Sequence, residues 1–137
     1  MTMHQKLKPN AGIKAWFVMR LDLPMTQGKF GVQIGHGTDM IHINAANNKY
    51  YNDWINPEIG NRRKSVLRVN NEAEMEKIKI ACQETGMIVD YIGDAGLTEF
   101  GVPTITGIVI HPHDGTLIPK ELIRAQAWRA TDGYKGA

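Results

Sequence analysis

Ala15-Trp-Phe-Val-Met-Arg-Leu-Asp-Leu-Pro-Met-Thr-Gln-Gly-Lys-Phe-Gly-Val-Gln-Ile-Gly-His36 is the stretch that decides the fold class. Its opening part, 15–23, is short, mostly apolar and closed by Pro24, which suits a buried strand better than a helix. Past the Pro-Met-Thr-Gln-Gly loop the period changes: Phe30, Ile34, Ile41 and Ala45 recur at helical spacing, so a helix is expected from Lys29 to about Asn47. A strand passing directly into a helix is the start of an α/β series.

The rest of the chain continues that series. Residues 44–64 are polar and aromatic, with Asn56-Pro57 and Gly60, and read as a helix end and a connection. Residues 65–69 form a second short strand, after which Asn71 and Glu74 have capping-box spacing. Met75, Ile78, Ala81 and Cys82 make a helical stripe, and Gly86 stands where the glycine after a helix belongs. A third strand is expected at 87–92, a loop at 93–103, and a fourth strand at 104–111 stopped by Pro112. Asp114-Gly115 marks a turn, and Pro119 suits the first turn of a last helix reaching about Trp128. The expectation is one three-layer α/β domain over 1–137, its core at about 15–125. Its four-stranded sheet would be mixed but mostly parallel, with helices on both faces. Strands three and four have no helix between them, so at least one antiparallel or edge pairing is expected. In such sheets ligands bind at the loops after the strands, which singles out 22–29 and 93–103.

Composition narrows the class. With 42% hydrophobic and 22% charged residues in 137, the chain has the make-up of an ordinary folded domain rather than a disordered or fibrous one. Cys82 is the single cysteine and can form no internal disulfide, so a reducing, cytoplasmic setting is the default. No segment resembles a signal peptide or a membrane span. A net charge of +2 is too small to imply non-specific nucleic-acid binding by itself. Its distribution leaves two readings open: Arg62, Arg63, Lys64 and Arg68, with Lys6, Lys8 and Lys14, form either a positive face or a solvated surface.

Lys29, Gln33 and His36 stand at i, i+4 and i+7, on one stripe beside the apolar one. Gly28, Gly31, Gly35 and Gly37 crowd the same turns. Each interior glycine costs about 1 kcal/mol against alanine, which points to close approach by a strand, a partner or a ligand. The plain alternative is a well-packed helix with a solvated polar edge. Asp94-Ala-Gly-Leu-Thr98 leaves the third strand: Asp94 would orient a water or pair with Lys29, or else only start a turn. The hydroxyls of Thr98, Thr104 and Thr106 are candidate substrate contacts. His111-Pro-His113 is a weak metal pair with no third ligand in view, and no metal or cofactor is expected. Neither a P-loop nor a dinucleotide fingerprint is present.

Taken together, Arg20-Leu-Asp-Leu23, Gly28-Lys-x-x-x-Gln-x-x-His36, Asp94-Ala-Gly-x-Thr98 and Thr106 before Pro112 resemble the type-II peptidyl-tRNA hydrolase family, from about Trp16 to about Ile123. The chain departs from the family's usual pattern at Gln27, where a second lysine is common, and at Leu97, where a basic residue is common. The resemblance implies a mixed four-stranded sheet between helices, a homodimer, and metal-free hydrolysis of the ester in peptidyl-tRNA. It maps Lys29, Asp94 and Thr98 to the catalytic residues and sets Gln33, His36 and Thr106 around them as substrate-binding residues. Two other classes stay open: a non-catalytic RNA- or nucleotide-binding relative, and a dimeric interaction protein in which the glycine-rich helix meets a partner.

Overall fold

A computed structural model of the chain describes residues 12–96 and 100–133. Strand β1 (Lys14–Arg20) leads through a bent segment into helix α1 (Gln27–Ile43), a short 3-10 turn at Ala45–Asn47 and helix α2 (Tyr51–Ile55). Strand β2 (Lys64–Val69), helix α3 (Glu72–Glu84), strands β3 (Val89–Asp94) and β4 (Thr104–His113), helix α4 (Lys120–Ile123) and strand β5 (Gln126–Ala127) follow. The strands lie side by side in the order β3-β4-β1-β2-β5.

Three layers form, as expected, with α1 and α2 on one face and α3 and α4 on the other. Phe17, Met19, Ile41, Trp54, Ile92 and Val109 fill the first interface, and Trp16, Val18, Met75, Ile78, Ile108 and Leu122 the second. Alternate residues of β1 thus serve opposite cores, because strand side chains alternate faces. Among the described residues the sheet is mixed but mostly antiparallel rather than mostly parallel, and has five strands rather than four. Of these, only β1 and β2 run parallel to each other. β4 enters without a crossover helix and lies antiparallel to both β3 and β1, since strands joined by a loop alone pair antiparallel.

The fifth strand comes from the expected last helix. Helix α4 stops at Ile123, and the backbone turns to pair Arg68 with Gln126 and Leu67 with Ala127. Pro112 does not end β4: the strand continues to His113, and a register shift against β1 takes up the residue without an N–H. β1 ends at Arg20, three residues before the expected end, and β3 runs two residues later than expected, carrying Asp94 on its last position. Asn71 caps α3 by accepting from the Glu74 N–H at 3.0 Å, while the Glu74 carboxylate reaches the Asn70 N–H at 2.7 Å.

Gly37 sets how closely α1 meets the sheet. A Cβ there would fall 2.6 Å from the Phe17 ring and 2.9 Å from Ile92, so only hydrogen fits. Gly28, Gly31 and Gly35 have open space where a Cβ would stand; close approach by a strand accounts for Gly37 alone.

Candidate active site

The carboxyl ends of β1, β2 and β3 share one edge of the domain, because Asp94 pairs with Thr104 and Met19 with Gly107. Helix α1 begins at this edge. Thr26 caps it, its hydroxyl accepting from the Lys29 N–H at 3.2 Å. Lys29 therefore stands in the first turn, where the helix dipole is positive.

Lys29 and Asp94 meet. The ammonium hydrogen-bonds to Asp94 Oδ1, the two side chains being 13% and 5% exposed. Gln33 Nε2 donates to the same oxygen at 3.4 Å, and the Gly96 N–H donates to Oδ2 at 2.8 Å. The Lys29 hydrogen bond, helped by the Gly96 N–H and the nearby His36 charge, holds Asp94 below the usual carboxylate range against the opposing effect of burial. Gly96 has φ +81° and its Cβ position is filled by the Val102 backbone, so the turn that delivers its N–H needs glycine. Asp94 thus both pairs with Lys29 and organises its own turn; the two readings of that residue are not alternatives.

Behind this pair, Gln33 and Thr106 are fully buried. The Thr106 hydroxyl lies 2.8 Å from Gln33 Oε1 and 3.1 Å from the Ile92 carbonyl, and can donate to either. Gln33, expected on a polar edge of the helix, faces the sheet instead, because Gly37 one turn on lets α1 settle close enough for a buried amide to span Thr106 and Asp94. A buried amide is tolerated where both ends are satisfied. His36 is exposed, one turn further along. Thr104 turns away and donates to the Val102 carbonyl at 2.9 Å. Thr98 and Leu97 lie outside the described residues.

Arg20, at the end of β1, adds rigidity to this edge. Its guanidinium makes two bonds to Asp22, at 3.0 and 2.8 Å, and one to the Ile105 carbonyl at 2.9 Å. The sequence signalled this pair through the Arg20-Leu-Asp-Leu23 block, but not the reach of Arg20 to Ile105.

The other candidates do not join the site. His111 is buried against Asp90, with Nε2 to Oδ2 at 2.6 Å, while His113 accepts from the Gly115 N–H at 3.1 Å. Among the described residues no group of three or more His, Cys, Asp or Glu is placed to hold a metal ion. Arg62, Arg63 and Lys64 are exposed at the opposite end of the sheet, whereas Arg68 is tied to Asp132 and Gln126 at 2.9 and 2.5 Å. Lys6 and Lys8 lie outside the described residues. Among those residues no helix is long and apolar enough to cross a membrane.

The family profile described as Peptidyl-tRNA hydrolase PTH2 matches residues 13–122, the span that holds both Lys29 and Asp94. The chain belongs to the type-II peptidyl-tRNA hydrolase family. Similar members include a peptidyl-tRNA hydrolase of Thermococcus onnurineus, 30% identical over 109 residues, covering 78% of this chain and 90% of the relative. One from Methanocaldococcus jannaschii is 30% identical over 110 residues, covering 79% of this chain and 93% of the relative. A third, from Thermoplasma acidophilum, is 29% identical over 109 residues. The matched span runs from just before β1 into α4, so family membership embraces the site and leaves out β5 and the residues after it.

Proposed function

We infer that this chain hydrolyses the ester joining a peptide to the 3′-terminal ribose of transfer RNA, releasing a free peptide carboxylate and a tRNA with a free terminal hydroxyl. The observation that carries the reading is the ion pair of Lys29 with buried Asp94 inside the family-matched span.

In this reading water attacks the ester carbonyl beside Asp94. A carboxylate held below its usual range is a weak base near neutrality, so Asp94 acts mainly by accepting a hydrogen bond that orients the water. Negative charge then develops on the carbonyl oxygen. The Lys29 ammonium carries three N–H donors, one of them directed to Asp94, and stands at the positive end of α1; it stabilises that oxyanion. One well-placed donor supplies roughly 3 to 4 kcal/mol of such stabilisation. Gln33 and Thr106 hold Asp94 from behind, and exposed His36 lines the approach of the terminal nucleotide. Thr98 enters as a substrate-positioning hydroxyl on the family pattern. No covalent nucleophile is required.

We also propose that the enzyme works as a homodimer in the cytoplasm. The family resemblance supports the dimer, as do Val32 and Ile43, 50% and 79% exposed on the outer side of α1; sedimentation of the purified chain at twice its monomer mass is the expected result.

The test is turnover of peptidyl-tRNA by the purified protein, with and without EDTA. Release of tRNA at the same rate in both is expected. Binding of tRNA without release would assign the chain to the non-catalytic alternative, and loss with EDTA restored by zinc would overturn the metal-free mechanism.

A further inference from the structure

The segment after the family-matched span does not trail away. β5 pairs with β2, the Trp128 N–H donates to the Val66 carbonyl at 2.8 Å, and Asp132 bridges Arg68 and the Arg129 N–H at 2.9 and 2.7 Å. These tethers bring Trp128 onto Phe30, with ring centroids 4.5 Å apart and planes 28° from parallel. Phe30 directly follows Lys29 in α1. The tail therefore reaches the helix that carries the reacting ammonium, on the flank turned away from Asp94.

Between tail and helix lies a cavity of about 350 Å3, lined by Gln27, Phe30, Trp128, Arg129 and Asp132 among others. That volume lies within the range of small-molecule sites, roughly 300 to 1,000 Å3. Phe30, Trp128 and Arg129 line it; one guanidinium nitrogen of Arg129 donates to Gln126 Oε1 at 3.0 Å, and the single lining carboxylate, Asp132, is committed to Arg68 and the Arg129 backbone. Aromatic faces with an adjacent cation suit an unpaired base and its phosphate, because stacking accepts any base and the cation meets the backbone charge. A helix with its side chains is about 10–12 Å across, a distance about three stacked nucleotides cover at roughly 3.4 Å each. A single-stranded 3′ end laid over the start of α1 would thus have its terminal ester at Lys29 and an upstream base at Trp128.

We propose that residues 126–133 form a stacking subsite for an unpaired base near the 3′ end of the substrate RNA, with Trp128 as the platform and Arg129 as the phosphate contact. The proposal rests on the peptidyl-tRNA reading for its occupant, and family membership does not imply it, since the matched span ends at 122.

Two measurements test it. In steady-state turnover of peptidyl-tRNA, Trp128→Ala should raise KM roughly tenfold or more while kcat holds, and Trp128→Phe, which keeps an aromatic face, should recover most of that loss. Arg129→Gln should raise KM several-fold and make the salt dependence of log KM shallower by about one phosphate contact. Separately, a short single-stranded RNA ending in CCA should quench tryptophan fluorescence, and the quench should vanish in Trp128→Phe, because Trp16 and Trp54 are buried. Unchanged KM in Trp128→Ala and Arg129→Gln, or a fall in kcat with KM unmoved, would overturn the subsite while leaving the enzyme reading intact. Quenching by RNA in a protein without turnover would keep the subsite and remove the enzyme reading. If Trp128→Ala fails to fold, KM in Arg129→Gln and the tryptophan quench decide the matter: an unchanged KM together with no quench overturns the subsite.

Discussion

Helix α1 meets a carboxylate of β3 near each of its ends, and the two meetings differ in kind. At its start, Asp94 is buried and takes Lys29, Gln33 and the Gly96 N–H. At its end, Asp90 is 40% exposed and bonds buried His111 at 2.6 Å and Asn44, the C-cap of α1, at 3.4 Å. Both clusters join α1 to the sheet. Only the first lies at the positive pole of the helix, where new negative charge is favoured; the second lies at the negative pole, where it is disfavoured. Asp94 also sits at the strand carboxyl ends beside a loop, whereas the Asp90 pair closes the opposite end, with His111 Nδ1 buried and unpartnered among the described residues. Under the proposed mechanism, similar residues joining the same helix and strand would make a reactive centre at one end and a structural clasp at the other.

Removing each carboxylate in turn separates the two ends of α1. Asp94→Asn should lower peptidyl-tRNA turnover by roughly a hundredfold or more, the scale of a group that acts in the transition state. Asp90→Ala should leave turnover within about twofold and instead lower unfolding stability by about 1 to 3 kcal/mol, since it leaves a buried imidazole without its partner. Denaturant titration and kinetics on the same two variants check both halves; a large activity loss in Asp90→Ala would erase the distinction.

This division was only partly legible in the sequence. The spacing of Lys29, Gln33 and His36 and the Asp94 block were visible, because polar residues at helical intervals and a glycine after a strand-end aspartate are local patterns. That Gln33 turns inward was not, since it depends on Gly37 meeting Phe17 across the sheet. The antiparallel pairing of β3 with β4 was legible, because no helix separates 87–92 from 104–111, but the rest of the order β3-β4-β1-β2-β5 was not, since which strands pair across the sheet is a long-range outcome. Trp128 was assigned to a helix because Pro119 starts one convincingly, while the backbone bonds to β2 and the stack on Phe30 that end it lie far away in sequence.

A smaller effect sharpens the role given to the buried amide. Gln33→Leu keeps the volume but leaves Asp94 and Thr106 each with one partner fewer, so turnover should fall roughly tenfold, equivalent to about 1.4 kcal/mol. Full activity in a folded Gln33→Leu protein would reduce Gln33 to packing.

Smaller still is the response to acid. Because Asp94 is lowered in the folded chain, its contribution is complete above the unfolded carboxyl value of about 3.9 and is lost only as pH falls through the lower folded value. The acid limb of turnover should therefore lie below the usual carboxylate range in any protein that stays folded there, and Lys29→Ala, which removes the main cause, should move it upward. An acid limb unmoved by that substitution would detach the limb from Asp94.

In the proposed mechanism Lys29 and Asp94 act as one unit, and a double-mutant cycle in peptidyl-tRNA turnover reads that coupling. Lys29→Ala and Asp94→Asn should each lose roughly a hundredfold, and the double variant should lose far less than the product of the two. Multiplicative losses would place the residues in separate roles, and a folded Asp94→Asn protein with full turnover would contradict the account outright.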